Sequence, residues 1–234
     1  MIVKKALLLA AGFGTRLRPL TNTIPKCLVP INGKPLLEIW LNNLSKAGTS
    51  SFLVNTHYLS NQVKSFIENS EFVNQVQVVY EKDLLGTAGT LLANLYFFKD
   101  EDGLLIHADN YCMPDISAFY KAHFYRPTGC LLTMMTFKSE NPSQCGIVEI
   151  DKNGIVINFH EKVQNPPGNL ANGAVYIFSS KFIEILKKDY ANVKDFSTEV
   201  LNNFIGKIYT YETKDIFMDI GTPEMYSLAN TIRK

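Results

Sequence analysis

The chain has 234 residues, 46% hydrophobic and 19% charged, with 23 Lys and Arg against 22 Asp and Glu for a formal net charge of +1. This composition excludes disorder, and the near balance of charge excludes a global electrostatic footprint for nucleic acid or an anionic membrane, so any anion must be met by a local site. Folding at this length buries roughly 70 to 75% of the extended surface, and 15 Phe with 11 Tyr supply the core.

Lys4-Lys5 followed by Ala6 to Ala11 imitates a signal peptide, but the apolar run is short and is followed by Gly12 and Arg16. It reads instead as a buried first strand, Ile2 to Ala10. Leu36, Leu37, Trp40, Leu41 and Leu44 recur on one face of a helix that ends near Gly48, and Val63, Phe66 and Ile67 do the same for a second. Between and after them Phe52 to Asn55, Val76 to Tyr80 and Leu104 to His107 read as strands. Such alternation predicts a parallel sheet with right-handed crossovers and helices on both faces, with ligands at the carboxyl ends of the strands.

From Cys130 the strands are closely spaced: Leu131 to Phe137, Gly146 to Ile150, Ile155 to His160 and Ala174 to Phe178, with a turn at Asp151-Lys152-Asn153-Gly154. That half is expected to be mixed or antiparallel. Helices are expected at Lys181 to Lys188, at Ser197 to Phe204, and after Thr222-Pro223, where proline suits a first turn. No internal repeat or linker separates independent domains. The expected fold is α/β, a Rossmann-like three-layer sandwich with a mixed, mainly parallel central sheet, in one domain over residues 1–234.

No segment approaches the roughly 20 apolar residues of a membrane span. Cys27, Cys112, Cys130 and Cys145 lack C-x-x-C spacing, which predicts reduced thiols and a cytoplasmic location. His57, His107, His123 and His160 lack metal-ligand spacing, and no Gly-x-Ser-x-Gly elbow is present. Zinc chemistry and serine hydrolysis are therefore set aside.

The strongest signal follows the first strand: Leu9-Ala10-Ala11-Gly12-Phe13-Gly14-Thr15-Arg16-Leu17-Arg18-Pro19-Leu20-Thr21, then Pro25-Lys26. Small residues let backbone close on a ligand, exposed N–H groups in such a turn form an anion nest, and Arg16 and Lys26 add fixed positive charge. It is neither a Walker A loop, which needs Gly-Lys-Ser/Thr, nor a dinucleotide fingerprint, which needs a small residue where Leu17 stands.

This string resembles the signature of the sugar-1-phosphate nucleotidylyltransferases, or NDP-sugar pyrophosphorylases. The resemblance continues through Leu85-Gly86-Thr87-Ala88-Gly89-Thr90, His107-Ala108-Asp109-Asn110, Gly146, Glu161-Lys162, Asn172-Gly173-Ala174-Val175-Tyr176 and Asp219-Ile220-Gly221-Thr222-Pro223, in the family's order and over essentially the whole chain. It implies the nucleotide-diphospho-sugar transferase, GT-A-like fold, with a nucleotide-binding half over 1–127 and a sugar-phosphate-binding half over 128–234.

The resemblance implies that Leu9, Ala10, Ala11, Gly12, Gly14 and Thr15 cradle the nucleotide, with Gly86, Thr87 and Gly89 at the nucleoside. Arg16 would hold the departing β- and γ-phosphates, Lys26 would neutralise charge near the α-phosphate, and Asp109 and Asp219 would share Mg²⁺, the implied cofactor. Gly146, Glu161, Lys162, Asn172 and Gly173 would take the sugar phosphate. The implied reaction is attack of a sugar 1-phosphate on the α-phosphate of an NTP, catalysed by Arg16, Lys26 and Asp109, with release of pyrophosphate. The Phe13 to Thr21 and Leu85 to Gly89 strings resemble guanylyltransferases of the mannose-1-phosphate or heptose-1-phosphate type, while Ala10-Ala11-Gly12 is shared with uridylyltransferases.

Two other readings stand beside this one. Ala108-Asp109-Asn110-Tyr111 is similar to cytidylyltransferases acting on phosphocholine or a similar small phosphate, and a non-catalytic nucleotide-sugar-binding subunit would keep the same fold. The expected partners are an NTP and a sugar 1-phosphate, with no nucleic acid and no membrane insertion, in a monomer or homodimer. With only a short helix past Asp219, the chain is expected to lack the left-handed β-helix of bifunctional relatives.

Overall fold

The protein's structure, a computed structural model, describes residues 2–232. In chain order the elements are β1 (Lys5–Leu9), β2 (Pro30–Ile31), β3 (Lys34–Pro35), α1 (Leu36–Lys46), β4 (Ser51–Thr56), α2 (Ser60–Glu68), β5 (Val76–Tyr80), α3 (Gly86–Ala93), β6 (Gly103–His107), β7 (Asn110–Cys112) and α4 (Ile116–Phe124). They continue with β8 (Leu132–Lys138), β9 (Gly146–Ile150), β10 (Val156–Glu161), β11 (Leu170–Phe178), α5 (Ser180–Asp189), β12 (Ile208–Glu212), β13 (Phe217–Asp219) and α6 (Pro223–Thr231). Helix starts are set by side chains that accept orphan backbone N–H groups: Asp115 from Ala118, Ser179 from Phe182, and Thr222 from Met225 ahead of Pro223.

Two compact units share the chain. The first comprises the described residues of Lys4–Leu84, Ile106–Pro114 and Asp215–Lys234. In it β1, β4 and β5 pair in parallel, with Leu9 opposite Asn55 and Asn55 opposite Val79. Ala6, Leu7 and Leu8 of β1 are all buried, the continuous apolar run of a strand covered on both faces. On α1, Leu36, Leu37, Trp40, Leu41 and Leu44 are the buried residues, as their spacing predicts. A short antiparallel ribbon, β7 with β13, sets Asp219 opposite Asn110 and Met218 opposite Tyr111.

The second unit comprises the described residues of Met1–Val3, Leu85–Leu105 and Asp115–Lys214. Its strands are mixed: β8 pairs antiparallel with β11 and parallel with β12, and β9 lies antiparallel to β10 and β11. Two features differ from the sequence expectation. The strand expected from Ala174 begins at Leu170, with a register shift between Asn172 and Tyr176; there Asn172 Oδ1 accepts from Ala174 N at 2.9 Å and Asn172 Nδ2 donates to the Tyr176 hydroxyl at 2.7 Å, replacing ladder bonds the bulge gives up. The helix expected at Ser197 to Phe204 is a π turn over Phe196–Val200 followed by a 3₁₀ turn over Leu201–Phe204. The widened turn lets Phe196, Val200, Leu201 and Phe204 all be buried while Phe196 N donates to Thr87 Oγ1 at 2.8 Å.

No helix among the described residues is long and apolar enough to cross a membrane. Trp40 is buried and its Nε1 donates to the Asn110 carbonyl at 2.9 Å, tying α1 to the residue after Asp109. Trp40→Phe keeps most of the ring contact but removes that donor. Urea unfolding is expected to show a loss of about 1–3 kcal/mol, the cost of unsatisfying a buried carbonyl.

Candidate active site

Beyond β1 the chain runs through Ala10 and Ala11, both buried, into Gly12 and Gly14. Gly14 takes a left-handed φ of +62°, and a Cβ there would lie 3.0 Å from Thr21 Cγ2 and 3.1 Å from Lys26 Cβ. Backbone conformation and close approach both demand glycine. Thr21 donates to the Gly14 carbonyl at 2.7 Å, and the Tyr58 hydroxyl bonds the Thr21 and Asn22 carbonyls at 3.0 and 3.1 Å. The loop is thus pinned from β4's end as well as by its own sequence.

Four charged side chains meet beside it, all within the first unit. Lys26 Nζ donates to Asp109 Oδ2 at 2.9 Å and to Asp219 Oδ1 at 3.4 Å, and Arg16 Nη2 to Asp219 Oδ2 at 3.4 Å. Lys26 is the best shielded member, with its side chain 8% exposed, whereas the Arg16 side chain is 69% exposed. Arg16 thus presents its charge at the surface, while Lys26 holds its charge in a shielded position. The Arg16, Lys26, Asp109 and Asp219 positions of the sequence reading therefore converge.

Desolvation pushes the Asp109 carboxyl up, but the Lys26 ammonium, His107 and the Lys26 hydrogen bond outweigh it and hold the group below its ordinary value. Burial pushes the neighbouring Cys27 thiol up to about 12, so it stays protonated and takes no part as a nucleophile. Asp109 and Asp219 present hard carboxylate oxygens, the donor type that Mg²⁺ selects. Among the described residues no group of three or more His, Cys, Asp or Glu side chains could close a cage around a metal ion. Two carboxylates with phosphate and water oxygens completing the shell is how Mg²⁺ is ordinarily held.

In the second unit Gly86, Thr87 and Gly89 open α3. Gly86 has φ +79° and a Cβ on it would strike the Lys194 carbonyl, to which Ala88 N donates at 2.9 Å. Thr87 is engaged by Phe196 N, as above, so this loop is built against residues 194–196. Gly146 leaves room for its partners across the β9–β10 pair: a Cβ there would lie 2.6 Å from Phe159 Cζ and 2.7 Å from Glu161 Oε2. Glu161 pairs with the exposed Lys162 at 3.4 Å. Lys162 and Ala174 both hold left-handed backbone, φ 49° and 52°, conformations that cost non-glycine residues and gather at functional loops. Gly173 sits within the β11 bulge, and the Asn172 amide is turned onto Tyr176, whose phenol burial pushes up and keeps protonated.

Residues 5–233 match the Nucleotidyl transferase family. The chain belongs to that family. Among curated relatives it is 31% identical over 229 residues to the mannose-1-phosphate guanyltransferase beta-A of Xenopus laevis, covering 94% of this chain and 62% of that protein. It is 30% identical over 232 residues to the mannose-1-phosphate guanyltransferase of Schizosaccharomyces pombe, covering 95% of this chain and 62% of that one. The chain therefore spans 62% of the length of each of these relatives. Among solved structures, HddC from Yersinia pseudotuberculosis superposes with a TM-score of 0.82 at 26% identity, covering 98% of this chain and 99% of that one. The same protein complexed with GMP-PN gives a TM-score of 0.81.

Two contacts of this family member were not announced by the sequence motifs. A Cβ on Gly221 would lie 3.0 Å from Arg16 Cζ, so the guanidinium packs directly on that backbone. Gly221 was visible in sequence only as part of the Asp219 to Pro223 string. Asn55 Oδ1 accepts from Ala10 N at 2.8 Å, a contact between residues 45 positions apart that no local pattern announces.

Because the Asp109 pKa is depressed relative to its unfolded value of about 3.9, its attraction to Lys26 contributes stability that is complete above that pH and is lost as pH falls through the folded pKa. In Lys26→Met desolvation acts without the ammonium. The Asp109 carboxyl is expected to titrate higher by carbon-13 NMR, and urea unfolding at acid and neutral pH should show a smaller acid loss than wild type.

Proposed function

We propose that the protein transfers a nucleotidyl group from GTP to a sugar 1-phosphate, giving a GDP-sugar and pyrophosphate. The observation that carries this reading is the convergence of Arg16, Lys26, Asp109 and Asp219 beside the glycine loop, two cations and two carboxylates linked at 2.9 to 3.4 Å. Such a set has no use for a fold alone: a nearly buried lysine facing two acids is costly, and it gains its purpose when a polyanion and a cation enter together. The guanine preference is supported by the two guanyltransferase relatives and by the GMP-PN complex of HddC.

A sugar 1-phosphate is largely dianionic near neutrality, its second pKa being about 6, so its oxygen attacks the α-phosphorus without a general base. A bond forms from that oxygen to the α-phosphorus, the bond from the α-phosphorus to the bridging oxygen breaks, and pyrophosphate leaves with the electron pair. Leu9, Ala10, Ala11, Gly12, Gly14 and Thr15 bound the phosphate loop, Arg16 turns from Asp219 to the departing phosphates, and Lys26 counters charge at the α-phosphate. Gly86, Thr87 and Gly89 take the nucleoside. Gly146, Glu161, Lys162, Asn172 and Gly173 take the sugar phosphate, Lys162 by charge and Glu161 by accepting from hydroxyls. Asp109 and Asp219 would hold Mg²⁺, which when bound supplies Lewis-acid polarisation of phosphoryl oxygens. Catalysis here is positioning and neutralisation, the terms that dominate phosphoryl-type transfer. Four unpaired thiols, three of them buried, suit the reducing cytoplasm in which we place it.

Pyrophosphate release from GTP, UTP, dTTP, CTP and ATP against sugar 1-phosphates and phosphocholine, with and without chelator, tests the reading. Release is expected with GTP and a sugar 1-phosphate and should be lost with chelator. Release confined to CTP and phosphocholine, or none at all, overturns it. Arg16→Ala is expected to keep its circular dichroism spectrum while turnover falls by about two to three orders of magnitude, the usual cost of one transition-state contact.

A further inference from the structure

At the carboxyl ends of β1, β4 and β5, three residues form a buried polar chain. Ala10 N donates to Asn55 Oδ1 at 2.8 Å and Asn55 Nδ2 donates to Glu81 Oε1 at 2.9 Å. Glu81 N donates to the Thr56 carbonyl at 2.8 Å, and the His57 Nδ1 lies 2.8 Å from the Glu81 carbonyl. Asn55 is 3% and Glu81 5% exposed. Both are costly by local rules: asparagine is a poor residue for a central strand, and a carboxylate is almost never so buried unless partnered. Costly choices of this kind, adjacent to one another and joined to the first amide after β1, mark a site where position is selected over stability.

We propose that Asn55, oriented by Glu81, is a positioning residue for the glycine loop. It takes up the Ala10 N–H and thereby leaves the phosphates to the amides that follow Ala10. The inference rests on the reading of residues 9–15 as the phosphate loop. It deepens that reading by fixing where the anion nest begins: Ala10 contributes shape rather than an amide to the nucleotide. The amide of Asn55 suits the task because it accepts from Ala10 with one end and donates to Glu81 with the other.

A donor swap tests this in the full chain. Asn55→Asp sets two carboxylates against each other across the contact that now joins Asn55 to Glu81, and the readouts are taken above the pH at which the pair releases its shared proton, where the two repel and the contact is lost. Hydrogen exchange of the Ala10 amide is expected to quicken and the KM for GTP to rise, each by about tenfold, the worth of one buried hydrogen bond, with kcat changing less. Glu81→Gln alone keeps an oxygen for Asn55 to donate to and is the control for Ala10 exchange, which is expected to quicken less than in Asn55→Asp. In the double variant Asn55→Asp with Glu81→Gln, the new carboxylate accepts from both Ala10 and the new amide, and both readouts should return to within about threefold of wild type. In wild type, GTP is expected to protect the amides of Gly12 to Thr15 and leave Ala10 unchanged. The proposal is overturned if Asn55→Asp leaves Ala10 exchange unaltered, if the double variant is no better than the single, or if Ala10 is protected only when GTP is added. Should Asn55→Asp unfold, the double variant and the wild-type exchange still decide it. Should wild type bind no nucleotide, the functional reading fails by itself, and Ala10 exchange across the variants still decides the role of Asn55.

Discussion

The candidate site depends on a hydrophobic cluster that is not itself part of it. Leu17, Val29, Ile31, Leu36, Tyr111, Met218, Ile220 and Ala229 pack as one buried group. Leu17 adjoins Arg16, Val29 stands three residues from Lys26, Tyr111 two from Asp109, and Met218 and Ile220 flank Asp219. Each fully buried aliphatic side chain of this kind contributes roughly 1.5–3 kcal/mol. That burial draws four charged residues from distant parts of the sequence to one place, and the β7–β13 ribbon sets the register in which the two acids face the lysine.

The charge arrangement in the free protein has a physical logic. Two acids close together repel unless something neutralises them, and a shielded ammonium is unstable unless it faces acids. Lys26 and Arg16 meet both conditions internally. The cluster is therefore satisfied as it stands, each acid facing at least one cation. The two cations differ in exposure, Lys26 being shielded and Arg16 open to solvent.

The second unit solves a different problem, presenting polar groups from strands. A β-bulge at Asn172 to Tyr176, a glycine at 146 that yields space to Glu161, and left-handed backbone at Lys162 and Ala174 all break regular strand geometry where the motif residues cluster. Regular strands would alternate side chains between faces; these irregularities re-aim them. Residues 194–196 likewise set the Gly86-Thr87 turn through two hydrogen bonds, one accepted by the Lys194 carbonyl and one donated by Phe196, the first residue of a π turn.

The hydrophobic pattern by itself determined the strand–helix alternation of the first 125 residues, the face that α1 buries and the change of pattern after Cys130, because these follow from short apolar runs and a spacing of 3.6 residues that any short window displays. The glycine loop and its basic residues were legible for the same reason: a turn that needs φ above zero names glycine locally. Asn55 against Ala10, Gly221 beneath Arg16 and the bulge at Asn172 were not legible, since each depends on which distant backbone comes alongside. Only the tertiary structure decided that Arg16, Lys26, Asp109 and Asp219 face one another, because residues separated by up to 203 positions are joined by the burial of their apolar neighbours and not by anything in their own local sequence.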